Sequence, residues 1–388
     1  MTLGIAWRPF GRFAYTAPPV HPTAATIRDP ARDSAIAPSR PTAAARDEAG
    51  RMHHVDGMRA LAALAVAFYH FRGYVAHLGR ALPSTVDGVV THGYLGVNVF
   101  FVLSGFVIAH STARARVTGR FVGRFALRRS LRLDPPYWAA IVLAVLWLGS
   151  DPHFDRARLA PATVLAHFAY LQNLLGRPNL LDVFWTLCIE VQRYLAFVLL
   201  LWLGRALGGE RRPLVRELLF AATTLGSALI YGALMRRLGA WFIDYWYMFA
   251  LGAWTRWALD GGRARWWFAL FLGLTLARTF LFQGPGPAVC AATAALLWLA
   301  ARARPIARLL GGPALAGLGR ISYSFYLLHA LVGGDVLSRL VKIGPPTVLR
   351  DAAAVAVALL ASLLAARLFF RAIERPSLAL SRRVRLAG

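Results

Sequence analysis

The chain has 388 residues, 57% of them hydrophobic, a mean hydropathy of +0.50 and a net charge of +26. That hydropathy excludes an ordinary soluble domain, since apolar runs near twenty residues long recur along most of the sequence, each enough to cross a bilayer core of roughly 30 Å. The charge alone would point to nucleic acid, but the arginines cluster in alternate connections between apolar runs, which is the asymmetry that orients a membrane protein.

In chain order, residues 1–52 are rich in Pro, Ala, Arg and Asp without helical periodicity and are expected to form a disordered cytoplasmic extension. "GIAWRPFGRFAY" has no sustained apolar core followed by a small-residue cleavage site, so a secretory signal peptide is not expected there. Spans are predicted near 57–77, 94–112, 133–149, 184–204, 217–235, 241–258, 266–282, 287–301, 318–336 and 349–370. With the N-terminus inside, the connections "ARARVTGRFVGRFALRRSLR", "RALGGERRPLVR", "DGGRAR" and "RARPIAR" and the closing "RAIERPSLALSRRVR" all fall on the cytoplasmic side. The expected fold is therefore all-α, a polytopic bundle of about ten transmembrane helices with both termini cytoplasmic. The membrane domain covers 53–378 and a basic tail covers 379–388.

Within the first span, His70 follows Arg59 by eleven positions, which puts both on nearly one helix face about 16 Å apart along the axis. A satisfied His and a snorkelling Arg would explain the pair blandly. An ionisable group this deep in a span more often marks a functional path. In "GYLGVNVFFVLSGFVIAH", Ser104 and Gly105 interrupt an apolar run, where small residues serve close helix packing or Ser104 faces a polar cleft. Arg128, Arg129 and Arg132 stand where the third span leaves the cytoplasm. Arg129 and Arg132 share one face, and their forked donors suit phosphate, although positive-inside anchoring accounts for most such arginines. Asp134, Pro135 and Pro136 are expected to fix the entry into that span.

The fourth span carries Glu190, Gln192 and Arg193. Glu190 and Arg193 could pair at i, i+3. Glu190 is also expected at the depth of His70, where a carboxylate would prepare the imidazole as a general base. In the ninth span Tyr323, Tyr326 and His329 repeat at threes, as an aromatic belt or as a hydrogen-bonding wall. "RAIERPSLALSRR" reads as a helix end with a local Glu374–Arg375 ion pair and not as a site. Cys188 and Cys290 fall inside spans, so neither a disulfide framework nor a metal site is implied. No P-loop, GxGxxG, HExxH or CxxC pattern supports nucleotide hydrolysis, dehydrogenation or metalloproteolysis.

Taken together, "VDGMRALAALAVAFYH", "GVNVFFVLSGFVI", "RRSLRLDPPYW", "FWTLCIEVQRYL", "LGRISYSFYLLH" and "IERP" resemble, in order, the motifs of the acyltransferase 3 family of bacterial integral-membrane O-acyltransferases. The resemblance runs from about residue 54 to 378. It implies a multi-pass inner-membrane enzyme that moves an acyl group, commonly acetyl, from cytoplasmic acyl-CoA to a hydroxyl of a sugar, lipid-linked glycan or antibiotic, without a metal. By motif match His70 would be the catalytic histidine and Arg59 its partner. Arg129 and Arg132 would form the coenzyme site and Glu190 the intramembrane acid, with Ser104 and Gly105 in the Ser-Gly-Phe motif. Ser104, Tyr323, Tyr326 and His329 would face the acceptor. The sequence departs from the family pattern at Asn98 and Val191, where acids are usual, and at Leu133-Asp134-Pro135 in place of Tyr-Pro. The same intramembrane groups would also serve a proton-coupled transporter or flippase of a glycolipid.

Overall fold

The computed structural model describes residues 51–386 apart from 114, 151–153, 210–212, 231–240 and 282–283. The expected N-terminal extension, but for its last two residues, and the end of the fifth expected span, 231–235, lie outside the described residues. Every regular element among the described residues is helical. In order they are α1 (His53–Arg72), α2 (Ala76–Ala81), α3 (Ser84–Thr91), α4 (Gly96–Thr112), α5 (Gly119–Gly149), α6 (Pro161–Phe168), α7 (Trp185–Gly208), α8 (Pro213–Ile230) and α9 (Ile243–Leu259). Then follow α10 (Ala264–Leu281), α11 (Pro285–Ala300), α12 (Arg304–Leu310), α13 (Pro313–Arg320), α14 (Ser322–Leu328), α15 (Gly334–Leu340), α16 (Val348–Phe369) and α17 (Arg375–Arg383).

Four helical stretches among the described residues are long and apolar enough to cross a membrane: Gly93–Thr112, Gly119–Gly149, Asp182–Gly208 and Val348–Arg383. A fifth arises if α11 and α12, bent by 118° at their junction, count as one span. Their outward faces are apolar: Leu360, Leu364 and Leu368, one stripe of α16, are 66%, 60% and 57% exposed. In water such a stripe would be a liability, whereas against lipid tails it is the preferred surface.

At the centre stands α9, every residue of which from Trp246 to Thr255 is buried. A helix apolar on all sides belongs inside a bundle. It crosses α4 at two glycines: a Cβ on Gly105 would lie 1.8 Å from the carbonyl oxygen of Phe249, and one on Gly252 would lie 1.9 Å from that of Val102. Close packing at the Ser-Gly-Phe motif is thus the work of Gly105, which leaves Ser104 free for a polar role.

Three expectations are corrected. The arginine-rich connection before the third span is itself helical from Gly119, and Pro135 and Pro136 lie inside α5 and do not open it. The ninth span is broken into α13, α14, a π-helical turn at His329–Gly333, and α15. The last span does not stop near residue 370 but continues through a second π turn, Phe370–Glu374, into α17.

The two prolines lack the amides that would bond the carbonyls of residues 131 and 132. Ser377 Oγ, from α17, lies 2.6 Å from the Leu131 oxygen and 3.1 Å from the Arg132 oxygen and donates to them. The chain's last helix thereby patches the break in α5. Ser377→Ala should cost about 1 kcal/mol, read as a lower unfolding temperature in detergent. An unchanged temperature would mean that the two carbonyls are satisfied another way.

Candidate active site

Seven of the nine residues given a site role from the sequence line one cavity: Arg59, Ser104, Arg129, Arg132, Glu190, Tyr323 and Tyr326. They come from α1, α4, α5, α7 and α14, so no two adjacent elements could build it alone. Arg129 is held by cation–π contact, its guanidinium carbon 5.1 Å from the Tyr194 ring centre and 5.3 Å from that of Phe125, with Nη2 donating to Ser111 Oγ at 3.4 Å. Arg59 Nε donates to Ser322 Oγ at 3.2 Å. Tyr323 Oη donates to the Leu133 carbonyl at 3.2 Å, and Tyr326 Oη lies 2.9 Å from Thr186 Oγ1. Both tyrosine hydroxyls are therefore tied to protein, and the rings form the wall.

Glu190 accepts hydrogen bonds from Ser104 Oγ at 3.2 Å and from Tyr194 Oη. The expected pairing with His70 is not formed, and neither is the local pair with Arg193. Arg193 points away, fully buried, its guanidinium carbon 3.5 Å from the centre of the Phe101 ring, and its nitrogens have no hydrogen-bond partner among the described residues. A helix spacing of three permits contact without requiring it, and here the aromatic face of α4 competes successfully for the cation.

The sequence reading missed Glu374. It is buried, lines the same cavity, and accepts from Ser324 Oγ at 2.5 Å and Ser324 N at 3.2 Å. Its charged neighbours are Arg59 and Arg132, not Arg375. The signal was available in "ISYS" and "IER": two serines two positions apart on one short helix, and an acid directly after an apolar run. Ser322 holds Arg59 and Ser324 holds Glu374, so one turn of α14 aligns a cation and an anion of the cavity.

His70 and His329 lie outside this cavity and face each other, ring centres 5.3 Å apart. His329 is completely buried, and Tyr326, 5.8 Å from it, separates it from the cavity. Two residues beyond His70, Arg72 forms a bidentate pair with Asp87 of α3, Nε to Oδ1 at 2.6 Å and Nη2 to Oδ2 at 2.8 Å. That pair fastens the end of α1 and holds the Asp87 carboxyl below its usual range. The carboxylate that acts on His70 electrostatically is Asp182, an exposed residue just before α7 that also pairs with Arg158 at 3.4 Å. Asn98, one of the departures from the family pattern, donates to the Gly286 carbonyl at 3.5 Å and joins α4 to α11 away from the cavity. Cys188 and Cys290 are buried free thiols.

Residues 52–367 match a family described as an acyltransferase domain. The chain belongs to the acyltransferase 3 family. Its family motifs carry the cavity's charged groups. Among similar proteins, Nodulation protein 10 of Rhizobium leguminosarum bv. viciae is 27% identical over 73% of this chain and 83% of its own length. Peptidoglycan O-acetyltransferase OatA of Listeria monocytogenes is 30% identical over 36% of the chain, and putative peptidoglycan O-acetyltransferase YrhL of Bacillus subtilis 27% over 46%. The chain matches only 22% and 28% of the length of those two proteins. No solved structure matches it.

Glu374→Ala would leave two donors of Ser324 without an acceptor and two cavity arginines without their carboxylate. A loss of about 1–3 kcal/mol of stability is expected, seen by thermal unfolding in detergent. Arg375→Ala should fall within about 0.5 kcal/mol of the wild type, as exposed substitutions usually do. Equal losses from both would restore the local ion pair.

Proposed function

We propose that this acyltransferase moves an acetyl group from acetyl-CoA on the cytoplasmic side to a hydroxyl of a sugar, glycan or glycolipid on the opposite side of a bacterial inner membrane. The observation that carries the reading is the cavity itself, in which Arg129 and Arg132 stand beside Arg59, Ser104 and Glu190. The names of the Listeria and Bacillus relatives, both peptidoglycan O-acetyltransferases, support an acetyl donor and a glycan acceptor. The polypeptide would cross the membrane about ten times with both termini cytoplasmic, residues 53–378 forming the catalytic domain.

In this mechanism Arg129 and Arg132 hold the phosphates of the coenzyme, for which guanidinium forks are the best side-chain match. Arg59 and Glu374 fix the width of the cavity between them. His70, about 16 Å farther along α1 than Arg59, takes the proton from the acceptor hydroxyl as its oxygen attacks the thioester carbonyl. The carbon–sulfur bond then breaks, and the coenzyme leaves as the thiol as His70 returns the proton to its sulfur. The pantetheine arm bridges the distance from the arginines to the imidazole, passing the ring of Tyr326. General-base help is worth about 10²- to 10⁴-fold. Glu190, bonded to Ser104 and Tyr194, acts on the cavity's cations and not on the imidazole.

Purified protein in liposomes, given acetyl-CoA and a panel of sugar acceptors, should release free thiol. His70→Ala should lower that rate by about 10²-fold or more with coenzyme binding retained. Equal release from both proteins would remove His70 from the chemistry. Proton-coupled glycolipid movement without thiol release would favour a flippase. Arg129→Met together with Arg132→Met should raise KM for acetyl-CoA about tenfold or more while kcat changes less, the pattern of lost ground-state binding. An unchanged KM would move the coenzyme site elsewhere.

A further inference from the structure

His329 is the one fully buried histidine whose ring both faces His70 and keeps a nitrogen without a partner among the described residues. Its Nδ1 lies 2.9 Å from the Tyr326 carbonyl oxygen and 3.2 Å from that of Phe325. Both neighbours are acceptors, so Nδ1 carries the proton and donates to them. In a neutral imidazole the other nitrogen, Nε2, is then a lone-pair acceptor. That acceptor finds no donor within the described protein, and a buried polar atom left in this way asks for an explanation.

The surroundings hold the ring in place. Phe325 stacks on it at 5.7 Å and 24°, and Phe71 stands 6.5 Å away. His329 opens the π-helical turn His329–Gly333, a local widening often found at functional positions. Two imidazoles joined by an N–H···N bond of about 3 Å have centres roughly 5 Å apart. The two rings here are 5.3 Å apart, inclined at 50°.

The geometry points to His329 as the positioning residue of His70: the lone pair on Nε2, unbonded in this structure with the His70 ring centre 5.3 Å from its own, accepts the ring N–H of His70 when that ring turns toward it and so decides which nitrogen of His70 is left to take a proton. This rests on the acyl-transfer reading above for its functional consequence, and it replaces the acceptor-binding role that the motif suggested for His329. His329 touches no substrate. Its own N–H stays on the two carbonyls throughout, while His70 gains the proton of the acceptor hydroxyl on its free nitrogen and keeps the other proton directed at His329. The imidazolium so formed is stabilised by a neutral neighbour, in a place where no carboxylate of the described residues touches the ring. The role that Glu190 was expected to fill thus falls to an imidazole.

The test uses full-length protein in detergent with 15N-labelled histidine. The His70 signals are identified by their loss in His70→Ala. In the wild type His70 should hold a single neutral tautomer. His329→Phe, which keeps the ring and removes the acceptor, should give a mixture. His329→Gln, which returns a carbonyl oxygen near the place of Nε2, should restore the single form. In the thiol-release assay the Phe variant should lose about 10²-fold in kcat at an unchanged KM for acetyl-CoA, and the Gln variant should recover about tenfold of it. A tautomer mixture in the folded wild type overturns the inference, and so does a Gln variant no better than the Phe one. The first result needs neither variant to fold. The spectra also need no turnover: a wild type that releases no thiol would overturn the acyl-transfer reading while the tautomer still decides this one.

Discussion

Inside an apolar slab, a helix carbonyl that has lost its amide partner must find another donor within the protein. Pro135 and Pro136 create two such carbonyls in the middle of the 31-residue helix α5. The donor that answers them, Ser377, sits near the other end of the sequence. Docking α17 there carries the π turn at Phe370–Glu374 with it, and so delivers Glu374 to a cavity whose arginines come from α1 and α5. The position of a buried carboxylate thus follows from the backbone chemistry of two prolines. Ser324, bonding Glu374 from α14, closes the same ring of contacts from a third element.

The polar groups divide into two sets along α1. Around Arg59 the cavity gathers three arginines and two carboxylates, partners enough for one another to be kept out of lipid. Around His70, among the described residues, stand a second imidazole, an aromatic shell and the exposed Asp182 some distance off. Tyr326 stands between the sets with its hydroxyl held by Thr186. In the proposed function an anionic coenzyme would take the first set and a neutral hydroxyl the second. A mechanism needing both would run across the tyrosine ring. The firm seam between α4 and α9, closed at Gly105 and Gly252, gives that passage one rigid side.

Much of this was legible in the sequence. Apolar run length marked the four helical stretches that are long and apolar enough to cross a membrane, because the bilayer core imposes one length on any segment that crosses it. The count of ten expected from the sequence is not reached among the described residues. The motif order marked the family. Ionisable residues inside apolar runs, the paired arginines before the third span and the family motifs together marked the cavity: seven of the nine residues chosen on those grounds line it. The sequence did less well on pairings. Glu190 was expected to meet His70 by depth and Arg193 by spacing, but depth and spacing say nothing about rotation about the helix axis, which places it instead against Ser104 and Tyr194. For Glu374 the linear sequence offers a local partner in its neighbour Arg375. A local partner on a helix is only one option, and a buried serine pair on another helix proved the better one.

The linear sequence is enough to give the class of molecule: a helical membrane protein of the acyltransferase 3 family, with its cations on alternate connections and a small set of ionisable groups in its spans. These follow from one-dimensional quantities, run length, charge order and residue type. Which of those groups meet is set by how the helices pack. That packing sets Ser377 on the carbonyls that the prolines freed, Glu374 beside Arg59 and Arg132, and His329 against His70. Each of those contacts joins residues far apart in the chain, and each depends on how helices rotate and break against one another, which no local pattern encodes.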